Sequence, residues 1–231
     1  MWFLLAQLAF GACTPTRIGQ LAAQPAPSVL VLGERRGVAQ DARRAYTIGK
    51  RLSKRGPVTL ALQAVPVELQ GALDAHAAGH LTDEQLLAQV DLTTHWGFDV
   101  PAYHKLLFAG RTLGWKLVAV GVEPEPVPEG AVVPLPPAYM HVLGDTMGEN
   151  PVPVELEGSF SAMVAYIDHR VARRAVEAWS GEGYLLILAD RLHVEGAKGI
   201  SWQASLLTEA PALSVLLAAS DTPCYTGDLV L

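Results

Sequence analysis

The stretch VLVLGERR, Val29–Arg36, decides the fold class of this 231-residue chain. Four consecutive aliphatic residues that end at a glycine are typical of a strand buried on both faces of a parallel sheet. A helical pattern follows over Gln40–Arg55 and ends at Gly56-Pro57, a strong helix terminator. The next apolar run, Val58–Leu62, completes a strand–helix–strand unit, which indicates a parallel α/β sheet.

The same alternation continues along the rest of the chain. Further helices are predicted over Pro66–Ala78, from Thr82, over Pro101–Leu113 and over Phe160–Trp179. Further strands are predicted over Lys116–Val120, Tyr184–Ala189 and Leu213–Ala218, and the six prolines between Glu123 and Pro137 predict a long loop. We therefore expect one α/β domain over residues 28–231, with a mostly parallel sheet flanked by helices on both faces.

The overall composition excludes several classes of protein. Half of the residues are apolar, 17% are charged and the mean hydropathy is +0.25, which excludes intrinsic disorder. A formal net charge of −6 argues against a nucleic-acid partner. With two cysteines and no C-x-x-C pair, neither a disulfide-stapled scaffold nor a zinc site is expected, and we predict no metal site.

The start of the chain is typical of an export signal. Met1–Ala12 is apolar but too short to span a bilayer, which takes about 20 helical residues. Small residues directly precede Cys13, as in a bacterial lipobox. We therefore expect residues 1–13 to be a signal and lipobox-like segment, with Cys13 lipidated, and residues 14–27 to be a flexible tether. We accordingly predict a lipoprotein of the cell envelope that faces the periplasm or lies in the outer membrane. The alternative for this segment is a frayed helix with a buried cysteine.

The strand ends predict where a ligand binds. In open parallel sheets, ligands bind beyond the carboxyl ends of the strands. This rule brings together Gly33–Arg36, Gln63, Glu123 and the turn Asp190–His193.

Several short motifs, in a shared order and spacing, carry a family resemblance. Val29–Arg36 is similar to an apolar strand ending in Gly-Glu-x-His, and Thr59–Gln63 to a second strand that usually ends in Glu. Gln70–Asp74 with Gly79–Glu84, Leu188–His193 and Gly227–Leu231 continue the pattern. Together they resemble the ChaN-like haem-binding lipoproteins, within the superfamily of TIKI proteases and erythromycin-esterase-like enzymes.

Two departures from the family pattern bear on catalysis. Arg36 replaces the family's first histidine and Gln63 its second-strand glutamate, whereas Glu34 and His193 remain. Arginine is always charged and only donates hydrogen bonds, so it neither ligates a metal nor accepts a proton. We therefore expect a non-catalytic relative, a pseudoenzyme, in which Glu34 and His193 are remnants of the catalytic set.

The resemblance implies haem as the cofactor and iron uptake as the process. It implies a tyrosine on the iron, for which Tyr103 is the first candidate, because it follows Trp96 and Phe98. Tyr139 is the second candidate, and His193 is a further ligand candidate. Arg36 is expected to bind a haem propionate or another small anion, or else to pair with a nearby acid. For the tyrosines and His193, an ordinary structural role is the alternative.

Eight of the 17 basic residues fall between Arg35 and Arg55. Such a helix face suits either anionic lipid headgroups or plain solvent. The leading hypothesis is thus a lipid-anchored protein that binds or handles haem without catalysis. A homodimer is compatible with this hypothesis. The alternatives are a degenerate scaffold that has lost haem binding and a residual metal-assisted hydrolase.

Overall fold

A seven-stranded parallel sheet organises the chain, in the order β1-β7-β6-β2-β5-β3-β4. The computed structural model describes residues 13–123, 127–129, 131, 133–136, 139–140, 143, 152–217 and 228–231. The strands are β1 (Thr14–Pro15), β2 (Ser28–Glu34), β3 (Val58–Pro66), β4 (Lys116–Gly121), β5 (Tyr184–Asp190), β6 (Ala212–Leu216) and β7 (Asp228–Val230). The predicted α/β class with a parallel sheet is confirmed.

Helices connect the strands, as parallel pairing requires. They are α1 (Ile18–Leu21), α2 (Ala39–Leu52), α3 (Gln70–Ala77), α4 (Asp83–Val90), α5 (Leu92–Trp96), α6 (Pro101–Leu107), α7 (Ala109–Leu113), α8 (Glu157–Ala178) and α9 (Ile200–Ser205). The predicted helix over Pro101–Leu113 divides at Phe108, and the one over Pro66–Ala78 begins with a 3-10 turn, Val67–Leu69.

Helices cover both faces of the sheet, and the alternation along each strand divides the core in two. Leu30 and Leu32 pack with α2, α3, α4 and α6, whereas Val29 and Val31 pack with α8 and α9. Every residue of β2 is buried. A strand with both faces covered is apolar throughout, which is why the run Val29–Leu32 shows no polar alternation.

The segment expected to be a flexible tether, residues 14–27, is part of the folded domain. β1 pairs with β7 at the edge of the sheet, and Leu21 of α1 is fully buried in the core. The expectation overlooked that a two-residue strand and a single helical turn leave almost no periodicity in a sequence. Residues 1–12, which carry the predicted signal, lie outside the described residues.

Cys13 is disulfide-bonded in this structure. Cys224, the other cysteine of the chain, lies outside the described residues. A disulfide and a lipid thioether are alternative states of one sulfur atom, so lipidation of Cys13 stays a prediction. None of the described helices is long and apolar enough to cross a bilayer.

Candidate ligand-binding site

Three neighbouring strands bring polar side chains to one end of the sheet. β5 lies between β2 and β3, and Glu34 at the end of β2 is in register with Asp190 at the end of β5. Gln63 near the end of β3 accepts a hydrogen bond at Oε1 from the backbone N–H of Asp190, at 2.8 Å. Three parts of the predicted neighbourhood thus meet, while Glu123 is exposed beyond β4.

Glu34 is a buried carboxyl group that the protein holds in its neutral form. Its side chain is buried, and burial is the main reason that its pKa is raised to about 8. A hydrogen bond from the Tyr103 hydroxyl to Oε1, at 3.2 Å, opposes this shift, and the negative charges of Asp190 and Asp41 add to it. A carboxyl group that stays protonated at neutral pH is poorly suited to act as a general base or a metal ligand.

Tyr103, the first candidate for an iron ligand, is the partner of this carboxyl group. It has no exposed surface, and burial together with the nearby Glu34 raises the pKa of its hydroxyl well above the usual range. The phenolate, the form that binds ferric iron, is therefore strongly disfavoured here. A ligand role for Tyr103 stays a prediction and requires this buried hydrogen bond to open.

The two adjacent arginines have different roles. Arg35 donates from its backbone N–H and its Nε to Oδ2 of the buried Asp41, at 2.9 and 3.0 Å, and from Nη2 to Oδ1 at 2.8 Å. Its guanidinium therefore holds the turn before α2. Sequence alone did not reveal this, because Asp41 looks like an ordinary residue of a first helical turn.

Arg36 is the arginine that faces solvent, with 55% of its side chain exposed. Its guanidinium lies over the ring of Trp96, 4.5 Å from the centroid, and Nη2 is 3.3 Å from Oδ2 of Asp190. The aromatic face and the carboxylate orient the guanidinium, and its other N–H groups remain available to an anion. The expected pairing of Arg36 with a local acid is therefore present, but it uses only part of the donor set.

A second pair joins α8 to the turn after β5. His193 lies in the 3-10 turn Arg191–His193, and its Nδ1 is 2.6 Å from Oδ1 of the buried Asp168. Burial disfavours the imidazolium, but Asp168, helped by Asp190, outweighs this and raises the pKa of His193 above its ordinary value. Nε2 has no hydrogen-bond partner among the described residues, and 13% of the side chain is exposed. The pair therefore presents one ring nitrogen outward, as a histidine backed by a carboxylate does at metal sites.

Tyr139 is bound to the same carboxylate. Its hydroxyl donates to Oδ2 of Asp168, and burial, with Asp168 adding, raises the pKa of Tyr139 above its usual range. Asp168 thus accepts from Tyr139 on one oxygen and holds His193 with the other. In this arrangement Tyr139 orients Asp168, and its predicted role as an iron ligand remains untested.

The backbone around His193 is held by two residues that sequence reasoning missed. A Cβ on Gly199 would lie 2.0 Å from the carbonyl oxygen of His193, so only glycine permits this approach. Asp228 accepts from the backbone N–H groups of Gly196 and Ala197, at 2.8 and 3.2 Å, and from Ser214 Oγ at 2.6 Å. Each residue is ordinary in sequence, and only the three-dimensional neighbourhood reveals its role.

The predicted site residues thus fall into two linked groups: Glu34 with Tyr103, and His193 with Tyr139 through Asp168. Arg36 and Asp190 lie between them, since both act electrostatically on Glu34 and on His193. Within the described part of the chain, no group of three or more His, Cys, Asp or Glu side chains is arranged to hold a metal ion. The arrangement offers one free imidazole nitrogen and one anion-binding guanidinium.

Part of the chain is similar to a known protein family. Residues 21–129 match the family described as "Haem-binding uptake, Tiki superfamily, ChaN". This match covers just under half of the chain. The family resemblance identified from the sequence motifs is thereby confirmed, and the match includes Glu34, Arg36 and Tyr103. No curated protein matches the sequence.

Solved structures extend the likeness to most of the fold. ChaN of Campylobacter jejuni, reported with cofacial haem binding, superposes with a TM-score of 0.65 at 16% identity, over 91% of each chain. The type III effector HopBA1 gives 0.55 at 10% identity, over 92% of this chain and 90% of that one. RRSP, a MARTX toxin effector domain from Vibrio vulnificus, gives 0.52 at 18% identity, over 93% of this chain and 39% of that one. At these identities the likeness shows a shared fold.

The neutral Glu34 predicts a pH dependence of stability. Its carboxyl titrates near 4.5 in the unfolded chain and near 8 in the folded protein, so the folded protein binds one more proton between these values. The free energy of unfolding should therefore fall as the pH rises through this window, by at most about 1.4 kcal/mol per pH unit.

The variant Glu34→Gln stays neutral and keeps an acceptor for Tyr103, so it should lose this decline and exceed the wild type in stability above about pH 8. Urea unfolding from about pH 5 to about pH 9 measures the slope, and the exposed Glu84→Gln is the matched control. Parallel curves for the wild type and Glu34→Gln would show that Glu34 is charged in the folded protein.

Proposed function

We propose that this protein binds haem at the carboxyl edge of its sheet, with His193 Nε2 on the iron and Arg36 on a propionate. The observation that carries the proposal is the Asp168–His193 pair, which leaves Nε2 free and partly exposed. The match of residues 21–129 to the ChaN-like haem-binding family and the fold shared with Campylobacter jejuni ChaN support the choice of ligand.

The residues around His193 fit this cofactor. The apolar side chains of Phe160, Met163 and Leu192 are partly exposed and pack with the cluster that contains Tyr139. A flat, largely apolar macrocycle requires such a surface, and its propionates require a cation. When bound, haem would supply an iron that accepts a nitrogen ligand, and Asp168 would keep the proton of His193 on Nδ1 so that Nε2 could donate its lone pair.

The same geometry supports binding without hydrolysis. Glu34 is neutral near pH 7 and bonded to Tyr103, while Arg36 occupies the position of the family's histidine. Gln63 uses its oxygen on a backbone N–H group. Its neutral amide adds no further negative charge beside Asp190. These groups provide no general base next to a substrate position.

The intact histidine–aspartate pair favours a ligand site over a degenerate scaffold. Asp168 is fully buried and costly to keep as an anion unless it is compensated. A relic pocket gains nothing from a buried carboxylate that holds one imidazole nitrogen and leaves the other one free.

The iron ligand is tested by titrating the purified protein with haemin and recording the Soret band. The wild type should bind with a shifted band, and His193→Ala should abolish that shift, because the axial nitrogen is lost. Asp168→Asn should weaken binding by about 10- to 100-fold, the usual effect of losing the partner behind a metal-bound histidine. Affinity should also fall as the pH drops through the raised pKa of His193, because protons then compete with iron.

The exposed His80→Ala is the matched control and should bind haemin as the wild type does. Tyr103→Phe and Tyr139→Phe distinguish the other candidate ligands. A Soret shift that survives in His193→Ala but disappears in either tyrosine variant would assign the iron to that tyrosine and contradict the proposal for His193.

The role of Arg36 has its own test. Arg36→Gln should weaken haemin binding by about tenfold, the effect of one charge-assisted hydrogen bond. Haemin dimethyl ester, which lacks the propionate charges, should bind the wild type and Arg36→Gln equally. Arg43→Gln, an exposed arginine on α2, is the control. An equal loss for haemin and its ester would place Arg36 on another part of the ligand.

The cell envelope is the proposed location, with residues 1–12 removed and Cys13 lipidated. The apolar Met1–Ala12 segment and the lipobox-like residues before Cys13 support it. Intact mass spectrometry of membrane-fraction protein should then show a chain that starts at a diacylglyceryl Cys13, and Cys13→Ser should release it from membranes. A full-length, unmodified chain in the membrane-free fraction contradicts this location.

Haem would also provide a contact between two copies. His193 would hold the iron in each copy, and the cofacial haem binding reported for the Campylobacter jejuni protein supports a stacked arrangement here. We therefore include a haem-dependent homodimer in the proposal.

A further inference from the structure

The first part of the chain has a surface that carries positive charge only. Residues 1–67 contain nine of the 17 basic residues and just two acidic ones, Glu34 and Asp41. Both acids are buried, and Asp41 is paired with Arg35. The remaining residues carry eight basic and 21 acidic side chains. The net charge of −6 therefore results from a basic region and a strongly acidic one.

Six exposed members of this group form what we call the basic face: Arg17, Arg43, Lys50, Arg51, Lys54 and Arg55. None of the six has a carboxylate partner within the described ranges. Arg55 donates from Nη1 to the carbonyl oxygens of Ala22 and Gln24, at 2.6 and 2.9 Å. These contacts leave its positive charge uncompensated.

The helical repeat and the packing of α1 on α2 place these cations together. Arg43 and Lys50 are seven residues apart and lie on the same side of α2, with Lys54 following in the next turn. α1 packs against α2, with Gly19 close to the Arg51 guanidinium, which brings Arg17 into the same region. The basic face is therefore continuous.

We propose that the basic face docks the protein on an anionic lipid bilayer. A bilayer with anionic headgroups is a plane of negative charge, and each Lys or Arg near it contributes about a fivefold gain in affinity. The acidic remainder of the protein is repelled by the same plane, so the molecule is oriented with α1 and α2 toward the lipid. The proposed lipid anchor at Cys13 lies at the start of this region and enters the same bilayer.

A lipid surface fits the basic face better than a nucleic acid does. Single-stranded nucleic acids require aromatic platforms for their bases. Among the described residues, Tyr46 is the one aromatic residue whose ring lies against a cation of the basic face, namely Lys50. A long polyanion would also meet the acidic remainder of the protein.

Docking through this face leaves the proposed haem site accessible. Arg36 precedes the start of α2, and a 14-residue helix rises about 21 Å. Lys50, Arg51, Lys54 and Arg55 thus lie at the end of α2 that is far from Arg36.

Vesicle co-sedimentation of the full chain tests the proposal. The wild type should partition onto phosphatidylcholine vesicles with about 30% phosphatidylglycerol more strongly than onto pure phosphatidylcholine, and the difference should vanish with salt. The apolar N-terminus acts in both lipids, so this difference isolates the charge effect. Lys50→Glu with Lys54→Glu should lower the partition onto anionic vesicles at least about thirtyfold, from about fivefold for each cation.

The matched control is Lys105→Glu with Arg173→Glu, which changes the net charge equally at exposed positions outside the basic face. It should keep most of the wild-type partition, and circular dichroism and haemin titration should match the wild type for both pairs. An equal loss in both pairs, or no preference for anionic vesicles, overturns the proposal. The proposal is also overturned if the wild type binds a single-stranded oligonucleotide more tightly than anionic vesicles, and Lys50→Glu with Lys54→Glu weakens that binding. That result assigns the basic face to nucleic acid.

Discussion

Parallel pairing of strands that are buried on both faces is the constraint on which the rest of this structure depends. With helices against both faces, β2 and β5 have no solvent-facing side on which a polar side chain could be tolerated. Polar chemistry is therefore confined to strand ends. Because all strands run in the same direction, their carboxyl ends meet at one edge, where Glu34, Gln63 and Asp190 are neighbours.

Confinement at this edge also explains the ionisation of its carboxyl groups. Glu34, Asp190 and Asp168 lie in one region, and low solvent access makes several negative charges there unfavourable. Each carboxyl group is accommodated differently. Glu34 keeps its proton, Asp190 lies beside Arg36, and Asp168 forms hydrogen bonds with His193 and Tyr139. The replacements at Arg36 and Gln63 fit this balance, because they add a positive charge and remove a negative one.

Charge is distributed unevenly on the larger scale as well. The two acids of the first 67 residues are buried, so their charges do not offset the cations on the surface of α2. Basic side chains of this helix and of the turn after it also hold the fold together: Arg44 of α2 binds the carbonyl of Leu217, and Arg55 binds carbonyl groups of the segment after α1. Arg55 thus fastens the amino-terminal segment and also belongs to the basic face.

The sequence by itself determined the fold class, because Val29–Leu32, Val58–Leu62 and Tyr184–Ala189 are continuous apolar runs separated by helical patterns. It also located Glu34, Arg36 and His193 at strand ends, and the strand-end rule brought them to one edge. Only the tertiary structure decided which groups are free. The structure shows three hydrogen-bonded pairs, whose members are 6 to 69 positions apart in the chain. They are Arg35 with Asp41, Tyr103 with Glu34, and His193 with Asp168. Periodicity and strand position carry no information about such contacts, because hydrogen-bond pairing and burial arise only when the elements pack.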